Sequence, residues 1–259
     1  MRQRDFYILG LGLGGLLFSI LTLIAGCREG TLDSYAIAAY TYEVNTNVVY
    51  QPANSTATDP YGNSPFAALL GDDIHWWFFT VHYLSLCGGY VGGTEDPDYI
   101  FLQCEHKAAG WKFRTDDPFI INFMSVEGVL PVNSTVPLET LSTAPAFGTL
   151  LVGIVFSVFS VGALATEAVG NWSKSGRLAQ GSVLLLVGAA MLLTSSSVLV
   201  TSIIIQVERV NNDYGSWVQQ FEAVTWSAVA FTYVTFFWKL SDLVYQKEKR
   251  RRLLNTGQL

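Results

Sequence analysis

Four long stretches without a charged residue constrain this chain more than any other feature. Phe6 to Gly26 runs for 21 residues, Ala144 to Thr166 for 23 and Leu178 to Val207 for 30. Ala223 to Trp238 runs for 16 and continues to Tyr245 once Lys239 and Asp242 are tolerated. A bilayer core about 30 Å thick is crossed by roughly 20 apolar residues as helix. Backbone N–H and C=O groups in lipid have to bond internally, so each stretch is expected to be a helix. Buried helices of soluble proteins are usually shorter and carry polar residues along one side. Only 14% of the residues are charged, against about 25% in an ordinary soluble domain. The expected fold class is an α-helical membrane protein, a four-transmembrane-helix bundle.

Lys and Arg accumulate on the cytoplasmic side of membrane spans, and this sets the expected orientation. Arg2 and Arg4 precede the first stretch, Lys174 and Arg177 lie between the second and third, and Lys247, Lys249, Arg250, Arg251 and Arg252 follow the fourth. All three positions fall on one side. The predicted order is a cytoplasmic terminus 1–5, spans 6–26 and 144–166 around an extracellular loop 27–143, a cytoplasmic loop 167–177, spans 178–207 and 221–245 around a short outer loop 208–220, and a basic tail 246–259. The long loop carries 14 acidic and 4 basic residues, a net of −10; the whole chain is −6, so the remainder is +4. Such asymmetry suits an anionic inner leaflet. The alternative for the first stretch is a cleaved signal peptide, which would leave three spans. Its 21 residues favour an uncleaved anchor, and Ile24-Ala25-Gly26 is a weak cleavage site.

Gly10, Gly12 and Gly15 match a dinucleotide-binding fingerprint on paper, with Asp33 about 20 residues on. The alternating strands and helices that such a site requires do not follow. Close helix packing is the better reading: Gly10 and Gly14, Gly15 and Ser19, and Gly153 and Ser157 are each four apart, the spacing that lets another helix approach. The third stretch would be about 45 Å long as a helix, so it is expected to tilt or project beyond the lipid.

The long loop is aromatic and rich in β-formers. Residues 40–44, 76–87 and 98–104 are predicted strands, with Gly88, Gly89, Gly92, Gly93 and Pro97 marking a turn between the last two. Residues 51–65 are expected to form an exposed loop, and 119–130 an apolar segment lying on the sheet or the membrane. Asn54 and Asn133 begin sequons in the loop, where glycosylation is expected; a third sequon, at Asn171, falls on the cytoplasmic side. Cys87 and Cys104 lie in an oxidising compartment and are expected to be disulfide-bonded, the alternative being two buried free thiols. A bridge over such a loop contributes about 3 kcal/mol. Cys27 is left over, either as a buried thiol or for an intermolecular bond.

No constellation of residues points to catalysis. His75, His82 and His106 lie near Asp72, Asp73 and Glu105, but their spacing matches no common metal motif, and positions 75 and 82 of one strand face opposite sides. The acidic pairs Asp72-Asp73, Glu95 with Asp98, and Asp116-Asp117 lack the EF-hand pattern. Hydrolase, zinc-protease and P-loop motifs are absent from the sequence. No span carries the row of charges expected of a conducting pore. Lys239 and Asp242, three residues apart, are expected to pair with each other or to snorkel to the interface; a proton relay is the functional alternative. No enzyme, metal, cofactor or nucleic acid is expected.

Four spans, a long first outer loop and a close cysteine pair resemble the claudin-type superfamily. More narrowly, the chain resembles the fungal four-span family that includes PalI and the Sur-seven eisosome proteins. The residues that carry the likeness are Tyr83-Leu-Ser-Leu-Cys87-Gly-Gly-Tyr with Cys104, the exit of the third span from Val200 to Gly215, and Thr225-Trp-Ser-Ala-Val-Ala-Phe in the fourth. Ser85 stands where the family often has glycine, and the tail after Tyr245 is 14 residues, shorter than in many relatives. The resemblance implies a claudin-like bundle with a small disulfide-linked extracellular β-sheet unit. It implies a plasma-membrane protein of the fungal cell cortex, a non-enzymatic organiser of eisosome-type compartments that affects the cell wall and endocytosis. Its alternative is a PalI-like helper of ambient-pH sensing or a claudin-like regulator of calcium influx. The expected partners are membrane lipids, other cortical membrane proteins in homo- or hetero-oligomers, and the cell wall. The tail Lys247, Lys249, Arg250, Arg251 and Arg252 would bind anionic lipid at about 1 kcal/mol per basic residue, or serve only as a topology signal.

Overall fold

A computed structural model describes residues 3–25, 35–43, 76–92, 98–114, 117–120, 141–169, 176–210 and 215–255. In chain order these give helix α1 (Gln3–Ile24), strands β1 (Ala38–Glu43), β2 (Trp76–Val81), β3 (Ser85–Gly92), β4 (Asp98–His106), β5 (Lys112–Phe113) and β6 (Leu141–Ser142), and helices α2 (Ala144–Val169), α3 (Gly176–Val210) and α4 (Gly215–Asn255). The chain divides into a helical unit, residues 1–24, 144–202 and 220–259, and a sheet unit, residues 25–143 and 203–219.

The helical unit has its polarity reversed relative to a soluble bundle. Its outward residues are aliphatic and aromatic: Leu13, Leu17 and Ile20 on α1, Val155, Val158 and Phe159 on α2, and Leu184, Met191 and Val198 on α3. Hydroxyls lie inside, among them Ser19, Ser157, Ser160, Ser182, Ser196, Thr225, Thr232 and Thr235. Most of them bond a carbonyl on their own helix, as Ser157 does to Gly153 at 2.9 Å and Thr232 to Ala228 at 2.8 Å. Large apolar side chains are stable outside only where the surroundings are apolar too. Among the described residues, three segments are long and apolar enough to cross a membrane: Arg4–Ile24, Ala144–Val169 and Leu178–Ile205. The chain is thus a mostly helical protein consistent with insertion in a membrane. The helices outrun the apolar stretches that predicted them. α3 has 35 residues and α4 has 41, so parts of the two expected short loops, and the start of the basic tail, are helical.

Small residues set how closely the helices approach. A Cβ added at Gly12 would meet Val161 and Leu164 of α2 and Thr235 of α4. One at Gly15 would lie 2.9 Å from the Thr232 hydroxyl, and one at Gly14 would lie 3.1 Å from the Phe231 ring. Gly153 packs on Leu192 and Leu193 of α3, while Gly188 of α3 lies under Phe156 of α2. α1 therefore touches α2 and α4, and α2 touches α3.

In the sheet unit the four strands run β1-β2-β3-β4, each pair antiparallel. Phe78 and Phe79 point to opposite faces of β2, and both are buried, so the middle of the sheet is covered on both sides. The expected single strand 76–87 is broken. The chain reverses over His82–Leu84, closed by the His82 N–H donating to the Ser85 carbonyl at 3.0 Å. Hydrophobic alternation continues on both sides of this reversal, which is why the sequence pattern misses it. Gly88, Gly89 and Gly92, expected in a turn, lie inside β3, where the pairing register shifts between Gly88 and Gly89; glycine suits such an irregularity. Cys87 and Cys104 are direct register partners and form a disulfide. Of the predicted apolar segment 119–130, Phe119 and Ile120 are described and buried, with Phe119 edge-on to Phe79.

Candidate functional site

Among the described residues of the helical unit, the most concentrated polar chemistry lies at one end of the bundle and draws on all four helices. Lys239 of α4 is 6% exposed and ion-pairs with Glu167, near the end of α2. The Ser182 hydroxyl of α3 donates to the other oxygen of Glu167 at 2.9 Å. Three residues beyond Lys239, Asp242 is 7% exposed. Arg4, at the start of α1, reaches it at 3.0 Å, and the Gln246 amide donates to its second oxygen at 2.6 Å. Lys239 and Asp242, expected to pair with each other or to snorkel to the interface, thus each take a partner from another helix. The correction has a geometric cause: a three-residue step leaves both side chains on one face of α4, where that face meets α1 and α2. Sequence reading missed Glu167, Ser182 and Arg4 as partners. Glu167 offered a signal, as the first charge after a 23-residue apolar run.

A buried ion pair is not in itself a large source of stability, because desolvating both charges offsets most of the attraction. Removing one partner is costly, however, since it leaves a buried charge unpaired. The cluster forms a clasp between the four helices at this end of the bundle. A second polar contact lies further along α3 and α4. The Thr201 hydroxyl donates to Glu222 at 2.8 Å, and the Trp226 indole reaches Thr201 at 3.4 Å.

Two polar groups organise the sheet unit. His82 is fully buried; its Nδ1 lies 3.1 Å from the Tyr35 carbonyl and its Nε2 lies 3.1 Å from the Thr80 hydroxyl. Nδ1 must donate to the carbonyl, so the neutral ring accepts from Thr80 at Nε2. Burial lowers its pKa to about 4, against a small upward pull from the Tyr35 bond. Lys107 is clasped by Glu105 at 2.5 Å and Asp117 at 2.8 Å, and its ammonium lies over Trp111 and Phe119. Burial alone would lower its pKa, but the bonds and charges of Asp117 and Glu105 outweigh that and raise it. Asp117 also accepts the Phe119 N–H at 2.9 Å, so it is already committed to protein donors.

Gly14, Gly15, Ser19, Gly153 and Ser157 lie at helix contacts or are buried, but a Cβ at Gly10 would meet nothing within 4 Å. Gly12 and Gly188, outside the expected packing pairs, make closer approaches than Gly10 does. Lys247, Lys249, Arg251 and Arg252 are exposed on the last turns of α4, with Arg252 bonded to Glu248 at 2.6 Å; Arg250 lies on the same turns. His106 is exposed. Among the described residues no group of three or more metal-ligating side chains comes together. Cys27, Asn54, Asp72, Asp73, His75, Glu95, Asp116, Asn133 and Asn171 lie outside the described residues. No protein-family model, curated protein or solved structure matches the chain.

Proposed function

We propose that this chain is a non-enzymatic membrane organiser, a four-span scaffold of the plasma membrane at the fungal cell cortex, as its resemblance to the Sur-seven and PalI family implies. The observation that carries the reading is the clasp. Arg4, Glu167, Lys239 and Asp242 are paired with one another across three helices, and Ser182, donating to Glu167, brings in α3, so that four helices are tied together at one level. Residues used in this way hold an arrangement rather than transform a substrate.

The same contacts support α4 as the fourth span. On α3, the distance from Ser182 in the clasp to Thr201 in the second polar contact is about 28 Å of helix. On α4, Glu222 and Lys239 are about 26 Å apart. Both lengths fit within a hydrocarbon core of about 30 Å, and the exposed apolar side of α4, with Val234, Phe237 and Val244, continues to about 33 Å from Glu222, which a modest tilt accommodates. Four crossings put the start of α1 and the end of α4 on one side, and the concentration of Lys and Arg there marks it as cytoplasmic. The sheet unit then lies outside, where its disulfide persists, free to make lateral or cell-wall contacts, with glycans at Asn54 and Asn133.

A tagged copy followed in cells with and without the eisosome scaffold tests the reading. Patches at the cortex that disperse without the scaffold support it. An endomembrane pattern contradicts it, and normal patches with altered calcium uptake or alkaline-pH growth on deletion would favour a regulatory role instead.

A further inference from the structure

The outward side of α4 runs without interruption from its apolar part into its basic part. Ala230, Val234, Phe237, Ser241 and Val244 are exposed at helical spacing, and Lys247, Arg251 and Leu254 extend that stripe by steps of three, four and three residues, also exposed. Lys239 and Asp242 mark the opposite, buried side. Lys249, seven residues after Asp242, is exposed as well but projects from that opposite side of the helix, away from the stripe. Arg252 is bound to Glu248. The basic residues of the tail are therefore not equivalent.

We propose that Lys247 and Arg251, one helical turn apart, form a two-point site for the phosphate of an anionic phospholipid headgroup in the cytoplasmic leaflet. The proposal rests on α4 being the fourth span. Continuity of the stripe identifies the occupant: a lipid whose acyl chain lies along Phe237 and Val244 carries its phosphate at the level of the next turns. Lys247 and Arg251 lie about 4.5 and 10.5 Å beyond Val244 along the axis. The headgroup layer is about 5–7 Å deep on each side, and both side chains can reach back towards it. A guanidinium binds two phosphate oxygens in its plane, and an ammonium one turn away can take a third. An acidic protein segment would match the charge but would have no use for the apolar continuity through Val244 and Leu254.

The test uses the full chain in nanodiscs of phosphatidylcholine with and without phosphatidylserine, with native mass spectrometry counting the phosphatidylserine retained. Lys247→Gln and Arg251→Gln are each expected to weaken retention about fivefold, and together about 25-fold, while Lys249→Gln and Arg252→Gln change it by less than about twofold. Equal losses from Lys249→Gln and Lys247→Gln, or none from the double variant, would overturn the site. So would equal competition by free glycerophosphoserine or by polyglutamate, the latter pointing to an acidic protein. Phe237→Cys in a Cys27→Ser background separates the two readings. If a water-soluble maleimide leaves that cysteine unmodified, α4 is in lipid, and a failure of lipid selectivity counts against the site alone. If the cysteine is modified, the spanning reading and the site fail together.

Discussion

At Gly15 the absence of a single carbon decides how closely α1 and α4 approach. A Cβ there would lie 2.9 Å from the Thr232 hydroxyl and 3.4 Å from its backbone nitrogen, whereas at Gly10 it meets open space. Gly15→Leu is expected to destabilise the bundle by about 1–3 kcal/mol through overpacking. Gly10→Leu should be close to neutral, and thermal unfolding in detergent compares the two. His82 gives a pH dependence with a definite sign. Its folded pKa of about 4 lies below the ordinary value of 6.5, so between those limits the unfolded chain binds more protons. Stability of the sheet unit is then full above pH 6.5, falls as the pH drops towards 4, and is lower by about 3 kcal/mol once both states are protonated. His82→Gln should flatten that slope; an unchanged slope in a pH series of denaturant unfolding would assign it to other groups.

At the scale of elements, the clasp and the disulfide do different jobs. Lys239→Met strands Glu167 among the helices, and a loss of about 3–5 kcal/mol is expected. The double variant Lys239→Met with Glu167→Met should recover most of it, because no charge is left unpaired; a double-mutant cycle on detergent stability reads the coupling. Cys87→Ser removes a bridge between direct strand partners and is expected to cost the sheet unit about 3 kcal/mol and to impair surface delivery. Delivery and clustering identical to the parent would remove the disulfide from the scaffold. These elements were legible in the sequence to different depths. Helices declare themselves through long apolar runs, and the cysteine pair through its compartment. The β2–β3 reversal at His82–Leu84 was hidden, because Tyr83 and Leu84 prolong the apolar run of the strands they join and Tyr83 is itself buried. Glycines in β3 misdirected the turn, since glycine marks a register shift as readily as a loop. The clasp partners were hidden because pairing across helices depends on which faces meet, and local spacing gives no information about that.

For the whole molecule, everything depends on how many times the chain crosses the membrane. Among the described residues three segments qualify by length and composition alone; α4 is diluted by Thr225, Thr232, Thr235, Lys239 and Asp242, all buried among its neighbours. A helix that hides its polar residues among its neighbours can cross a bilayer while looking only moderately apolar in sequence. The proposed four crossings would return the end of α4 to the side of Arg4, an arrangement that the Arg4–Asp242 pair favours. The decisive measurement is the sidedness of single cysteines at Gln3 and Asn255, in a Cys27→Ser background, labelled by an impermeant maleimide in sealed cells and again after permeabilisation. A four-span scaffold predicts that both are protected until the membrane is opened. Labelling at Asn255 in sealed cells with Gln3 still protected would mean three crossings, and would contradict the clasp, the cytoplasmic tail and the lipid site together.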